Sequence, residues 1–449
     1  MTSTVDPPQA FSDAPQLLDG TELLGQAEAS GLREPPYLVR RRDGQVVQLS
    51  RVLYAIAARM DGRSLGAIAA GAGSVVDRRI APEQVAYVAE HKLAPLGLVR
   101  LPDGREPILQ PADALLALRF RAGVLSGRRV NAIARMLQPL YRAPIVIAAV
   151  VALVAFDLWL VTGHGIGAGL NEVIGHPTVG LALLALVVLS LIFHELGHAT
   201  ACRFGGARPG RIGVGIYLLW PAFFSDVTDS YRLNRAGRLR TDLGGMYFNV
   251  LFALASAGAY LATQYEPLIV LVVMQQMIVV DQFIPWVRLD GYHVISDLIG
   301  VSDLFARIKP VLSSLLPGRQ PDARVTALKP WARAAVTTWV LTTLAVLSAA
   351  AVLIVTHAPG YLRHAWASLF TQLDAIGGGM RAGGVAEVLL GATSTIMLLL
   401  PVAGLTLSYL LLCRRLGTAA ALRRVRTDPT LAAIPAERAR QGYAVASSA

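Results

Sequence analysis

Residues 179–201 read VGLALLALVVLSLIFHELGHATA, an apolar run whose last third carries Phe193-His194-Glu195-Leu196-Gly197-His198-Ala199. As a helix, a run of this length reaches across a hydrocarbon core, which takes about 20 residues. His194 and His198 then stand one turn apart on one face, so both imidazoles can reach one tetrahedral ion. Glu195 is placed beside them, where a carboxylate can take a proton from water as a general base. Ionisable groups at membrane depth are costly and are retained mainly for function. A packing patch without a metal would be served by small or uncharged polar residues. This stretch therefore predicts a membrane helix that supplies two ligands of a metal centre.

The rest of the 449-residue chain fits a membrane setting: 54% of it is hydrophobic and only 16% charged. Soluble domains are about a quarter charged, so a wholly soluble enzyme and a disordered chain are both disfavoured. The formal net charge of +11 lies in short clusters beside the apolar runs. That is the pattern of a positive-inside topology signal rather than of a nucleic-acid-binding surface. The two cysteines, Cys202 and Cys413, are far apart and build neither a disulfide framework nor a thiolate metal site. No basic start followed by an apolar stretch opens the chain, so membrane entry is expected from internal spans.

Six spans are predicted, at about 143–163, 179–201, 243–263, 267–287, 334–357 and 385–412. Arg119, Arg121, Arg128, Arg129, Arg135 and Arg142 precede the first, and Arg203, Arg208, Arg211, Arg232, Arg235, Arg238 and Arg240 follow the second. The 164–178 connection has neither Lys nor Arg, and 358–384 is expected to be an external loop with only Arg363 and Arg381. This arrangement predicts a multi-pass cell-membrane protein with both termini in the cytosol. The expected fold class is mainly α: a polytopic helical bundle of about six spans with a small N-terminal α+β domain.

That domain is expected at 35–105, after a flexible tail at 1–34. Tyr37-Leu38-Val39, a turn at Asp43-Gly44 and Val46-Val47-Gln48-Leu49 read as a β-hairpin. Helices are predicted at Val52–Met60, from Ser64, and from Pro82, giving a winged-helix-like plan. A basic juxtamembrane linker (106–142), a membrane core (143–300), a cytosolic connection (301–333), two further spans (334–412) and a cytosolic tail (413–449) complete the organisation.

Two histidines leave zinc short of a protein ligand. The best-placed candidate is Asp290 in Arg288-Leu289-Asp290-Gly291-Tyr292, after the fourth span, where Pro285 would interrupt the helix and bend the chain. Spans two and four both run from outside to inside. His194 lies about 15 residues into its span, or ~22 Å at 1.5 Å per residue in a core of ~30 Å, so it and Asp290 fall at one depth. Asp281, nearly two and a half turns earlier, competes as a ligand; otherwise it is a buried hydrogen-bonding or proton-relay group. Residues 213–224, GVGIYLLWPAFF, are apolar but too short to cross, and read either as a re-entrant hairpin with an edge open to an extended peptide or as an interfacial segment. His164, His176, His357 and His364 fall in or beside expected external loops and His91 in the cytosolic domain. His293, one turn past Asp290, is a candidate neighbour of the metal site.

The HELGHA helix followed two spans later by Leu289-Asp290-Gly291 resembles the site-2 protease (M50) family of intramembrane zinc metalloproteases. "VTDSYRL" (227–233) and "RLDGYHVISDLIG" (288–300) look closer to the bacterial peptide zinc metalloprotease branch. "RRRDGQVVQLS" (40–50), "ARMDGRS" (58–64) and "LAPLGLV" (93–99) resemble the PqqD-like peptide-recognition domains that can precede such a core. The likeness covers roughly residues 35–300. It implies one Zn2+ per chain on His194, His198 and Asp290, with Glu195 as the catalytic base. Gly245 and Asn249 in "GGMYFN" match the family's Gly-Pro-x-x-Asn helix, although Met246 replaces the proline, and Gln282 stands near the position of a family asparagine. These three are the expected substrate-binding residues. The implied activity is zinc-dependent intramembrane endopeptidase cleavage near the cytosolic face. The implied partners are a membrane protein or ribosomally made peptide as substrate and the lipid bilayer, with no nucleic acid. The competing classes are a peptide-export or peptide-sensing component with a non-proteolytic metal site, and a transporter. A transporter would call for an internal repeat, which the sequence lacks.

Overall fold

The computed structural model describes residues 14–100, 119–217, 220–396 and 398–399. The first 13 residues of the expected tail, residues 101–118 of the domain end and linker, most of the sixth expected span beyond Ile396 and the 413–449 tail lie outside the described residues.

The N-terminal domain begins with a three-stranded antiparallel sheet, β1 (Glu22–Gln26), β2 (Tyr37–Arg40) and β3 (Val46–Leu49), in the order β1-β2-β3. The β2–β3 hairpin pairs Tyr37 with Leu49 and Arg40 with Val46 across a turn at Gly44, which has a positive φ. Helices α1 (Arg51–Ala57) and α2 (Leu65–Val76) start on serine caps, where the Ser50 and Ser64 hydroxyls accept from Leu53 N and Ala67 N. Helix α3 (Pro82–Val88) has proline in its first turn. Val39, Leu49, Ile56, Ile68, Val85 and Leu98 are buried together as the core of this unit.

At the margins of this domain the structure departs from the expected organisation. The 1–34 tail is not wholly flexible, because it contributes β1, which pairs with β2 through a bulge between Leu23 and Gly25. An edge strand buries little, so Glu22–Gln26 lacks the apolar alternation that marks a half-buried strand. The 106–142 stretch likewise is more than a linker. It carries β4 (Arg119–Leu125) and α4 (Gly127–Leu137), and α4 packs on the long apolar helix at Pro177–Phe204.

Among the described residues, four helices are long and apolar enough to cross a membrane: Ala143–His164, Pro177–Phe204, Gly244–Thr263 and Pro330–Leu353. In order, α5 (Ala143–Trp159) with its terminal turn, α6 (Gly167–Gly175) and α7 (Pro177–Phe204) lead to β5 (Ile212–Tyr217) and β6 (Trp220–Ser225). The second sheet has the order β4-β5-β6, so the described parts of the short apolar segment are strands of one sheet, with β6 at its edge. Helix α8 (Arg235–Asp242), capped by Asn234, turns into α9 (Gly244–Thr263), and α10 (Pro267–Gln282) returns antiparallel to it. Apolar residues of α5, α9 and α10, among them Phe156, Ala253, Ala257, Ile269 and Val272, form one core.

Six full-length spans are not found among the described residues. Helix α10 stops at Gln282, and its 16 residues cover only ~24 Å at 1.5 Å per residue. Pro285 lacks an N–H and restricts Ile284 before it, so the chain leaves the helix and turns before α11 (Asp290–Ile299). After α12 (Ile308–Leu315) and α13 (Ala323–Thr326), helix α14 runs from Pro330 to Ala382. The expected external loop at 358–384 is therefore mostly helix. Charge distribution reports on which side of a membrane a segment lies and says nothing of its backbone. Trp366, Phe370 and Leu373, at helical spacing, were the available signal.

Candidate metal centre

Helix α7 brings His194 and His198 to one face near its C-terminal end, both nearly fully buried at 5% and 7% exposure. Asp290 is the first residue of α11, directed inward by the turn after α10. The His194 and His198 Nε2 atoms are 3.1 Å apart, and Asp290 Oδ2 lies 3.2 Å from each. Three ligand atoms thus form a nearly equilateral triangle. A tetrahedral ion with bonds of about 2.0–2.1 Å holds its ligand atoms roughly 3.3 Å apart, so this triangle fits such an ion.

The donor set gives an independent test of that fit. His198 Nδ1 lies 2.8 Å from the Thr241 carbonyl, to which it donates, leaving the Nε2 lone pair facing the triangle. Asp290 Oδ2 is buried and, apart from the two imidazoles, has no hydrogen-bond partner among the described residues. Inward-facing lone pairs at this spacing repel unless a proton or a metal cation lies between them, and His194, His198 and Asp290 together could hold a metal ion. His194 Nδ1, by contrast, is buried without a hydrogen-bond partner among the described residues.

The backbone around the triangle is set by glycine. A Cβ on Gly245 would lie 2.4 Å from His194 Nε2 and 2.5 Å from His198 Nε2, so the two imidazoles fill the space of a side chain. At the residues immediately before Gly245 and His198, α7 and α9 cross at Gly244 and Gly197, where a Cβ on Gly197 would meet the Gly244 carbonyl at 2.2 Å. The buried Tyr141 hydroxyl donates to this crossing, 3.0 Å from Gly197 O and 3.2 Å from Gly244 O. The first of these distances identifies its principal acceptor.

Glu195 follows His194 on α7, about 100° further round the helix, and is half-buried. Asn249 lies one turn beyond Gly245 on α9 and is fully buried, with both side-chain amide atoms unpartnered among the described residues. Gln282 ends α10 and is half-buried; its carbonyl backs onto Gly291 next to Asp290. Asp281 is exposed and lies outside the triangle, which Asp290 completes. His293 is exposed, with its ring edge-on to Tyr292. His164 belongs to a different cluster, against Glu266, Tyr260 and Trp159.

Sequence reasoning missed a second layer behind the triangle. Thr241 acts through its backbone carbonyl, which no side-chain pattern announces. Arg238, one turn before it on α8, is only 7% exposed and pairs with Asp297 of α11 at 3.2 Å. Burial, and after it the negative charge of Asp297, pushes the Asp242 carboxyl up to about 8. A buried Arg-Asp pair joined by a second carboxyl would have needed the α8–α11 contact to be known in advance.

No family model matches the chain. Over 144 residues, 31% of its length, it is 22% identical to the Bacillus subtilis (strain 168) protein named "Putative peptide zinc metalloprotease protein YydH". The match covers 56% of that protein, so the chain spans about half the length of this curated relative. No solved structure matches.

Proposed function

We propose that the chain is a zinc-dependent intramembrane endopeptidase of the site-2 protease type, hydrolysing a peptide bond in a membrane-embedded or membrane-proximal peptide or protein. The observation that carries this reading is the convergence of His194 Nε2, His198 Nε2 and Asp290 Oδ2 at the end of an apolar helix, with Glu195 adjacent. The relative named a zinc metalloprotease supports the same chemistry.

His194, His198 and Asp290 would hold one zinc ion. When bound, zinc supplies Lewis acidity that polarises a carbonyl and makes water easier to deprotonate. Thr241 O fixes the His198 tautomer and ring plane, so that Nε2 remains a ligand. Glu195 takes a proton from the attacking water and hands it to the leaving amine. Asn249, with unsatisfied amide groups one turn from Gly245, offers a donor and an acceptor to an unwound substrate backbone. Strand β6, at the edge of its sheet, offers a pairing edge to an extended peptide.

Under this reading the metal end of α7 faces the cytosol in a multi-pass cell-membrane protein, and the termini lie on that side. The N-terminal domain is a PqqD-like module that presents a membrane-protein tail or ribosomally made peptide. The test is cleavage by the purified full chain in detergent, with Glu195→Gln as the inactive control. Processing by wild type alone supports the proposal, and equal processing by both rejects it.

A further inference from the structure

The α8–α11 contact lies directly behind the metal triangle. Helix α8 carries Thr241, whose carbonyl accepts from His198, and α11 carries Asp290 at its first position. Asp297 lies seven residues after Asp290, two turns along the same face of α11. The buried Arg238 guanidinium bridges these elements: Nε pairs with Asp297 Oδ2 at 3.2 Å, one terminal nitrogen donates to Leu233 O at 3.0 Å, and the other to Glu28 O at 3.4 Å.

Glu28 opens a strap, residues 28–33, that turns at Ala29 (φ 54°) and is held against the core by backbone hydrogen bonds. Gly31 N donates to Gly300 O at 2.9 Å, Lys329 N to Gly31 O at 2.9 Å, and Arg33 N to Ala327 O at 2.8 Å. Lys329 Nζ donates to Ser30 O at 2.9 Å. A Cβ on Gly31 would meet Ile299 O at 2.5 Å and Ala332 Cβ at 3.0 Å, so the strap fits only with glycine there. The strap thus grips the C-terminal end of α11, the helix whose first residue is Asp290, and it completes the hydrogen bonding of Arg238.

We propose that Arg238 is a positioning residue for the metal centre, and that the strap makes the metal affinity depend on the docking of the N-terminal domain. Arg238 holds α11 against α8, which fixes Asp290 relative to the His198–Thr241 pair. The strap holds the far end of the same helix and orients the guanidinium. Displacement of the strap, as by a peptide engaging the N-terminal domain, then loosens Asp290 and weakens the site. This inference rests on the metal-binding part of the proposed function.

The experiment uses the full chain in detergent, stripped of metal and titrated with Zn2+ against a chromophoric chelator and with Co2+ by visible absorption. Arg238→Gln is expected to weaken zinc binding roughly 10–100-fold, as loss of groups that orient ligands does, and to change the intensity of the Co2+ bands. Arg238→Lys keeps a charge but not the fork, and should fall between Arg238→Gln and wild type. Gly31→Val, which touches no ligand, should weaken zinc binding in the same direction. Zinc affinity and Co2+ spectra equal to wild type in Arg238→Gln would overturn the positioning role, and wild-type affinity in Gly31→Val would overturn the part played by the strap. If Arg238→Gln does not fold, Asp297→Asn carries the same test, since it removes the partner charge while conserving shape. Failure of the wild type itself to bind zinc would reject the metal-site reading instead, so the two failures are separable.

Discussion

Gly245→Ala is the smallest change that should dismantle the metal triangle. The added methyl would sit 2.4 Å from His194 Cε1 and Nε2 and 2.5 Å from His198 Nε2, whereas ordinary contact begins near 3.4 Å. One or both imidazoles must retreat by about 1 Å, several times the roughly 0.2 Å tolerance of metal–ligand distances. Gly197 and Gly244 already bring α7 and α9 into backbone contact, so the helices have little room to share the displacement. Losing the groups that merely orient ligands costs about 10–100-fold in metal affinity, and direct displacement of two ligands should cost at least ~100-fold, or ~2.7 kcal/mol. The assay is zinc affinity by chelator competition on purified Gly245→Ala, with Gly258→Ala as a matched control. Gly258 lies on the same helix with open space where its Cβ would be, so that variant should bind zinc normally and fold at least as stably. Wild-type zinc affinity in Gly245→Ala would refute the geometry from which the site was built.

Asp290→Asn should abolish stoichiometric zinc binding while Asp281→Asn leaves it unchanged; metal analysis of the two variants decides between the carboxylates, and the reverse result would place the ligand on α10. Tyr141→Phe removes the hydroxyl donating at the Gly197–Gly244 crossing and should lower stability by about 1–3 kcal/mol in chemical denaturation, with fluorescence as the readout. Asp242 titrates near 8 when folded, against an ordinary value near 3.8. Its folded form therefore holds the proton more tightly, and the associated stability is full below about pH 4 and is lost as the pH rises through 8. Asp242→Asn should flatten the decline in thermal stability of the metal-free protein between pH 5 and 9; an unchanged slope would assign that decline to other groups.

The triangle was legible because its elements are local or are placed by topology. The four-residue spacing of His194 and His198 guarantees a common face, and helix rise together with the expected span direction predicted one depth for Asp290 and the two histidines. The strap at 28–33 was not legible, since its structure comes from backbone bonds to Gly300, Ala327 and Lys329, hundreds of residues away. β1 and β4 were missed for a related reason. Edge strands with basic or acidic residues lack the alternation that marks a buried strand, and here they gain order by pairing with β2 and β5. Helix α14 outran its expected end because the topology signal in 358–384 concerns charge rather than backbone. Arg238 and Asp297 could be read as surface charges in a basic loop until the fold set them against each other behind the site.

The central claim is that these residues make a zinc-dependent peptidase, and it is tested most directly by one paired measurement on purified wild type and Glu195→Gln. Zinc content and cleavage of co-purified substrate are read on the same samples by metal analysis and mass spectrometry. The account predicts one zinc per chain in both proteins and cleavage products only with wild type. Zinc absent from the wild type, or identical cleavage by Glu195→Gln, would contradict it.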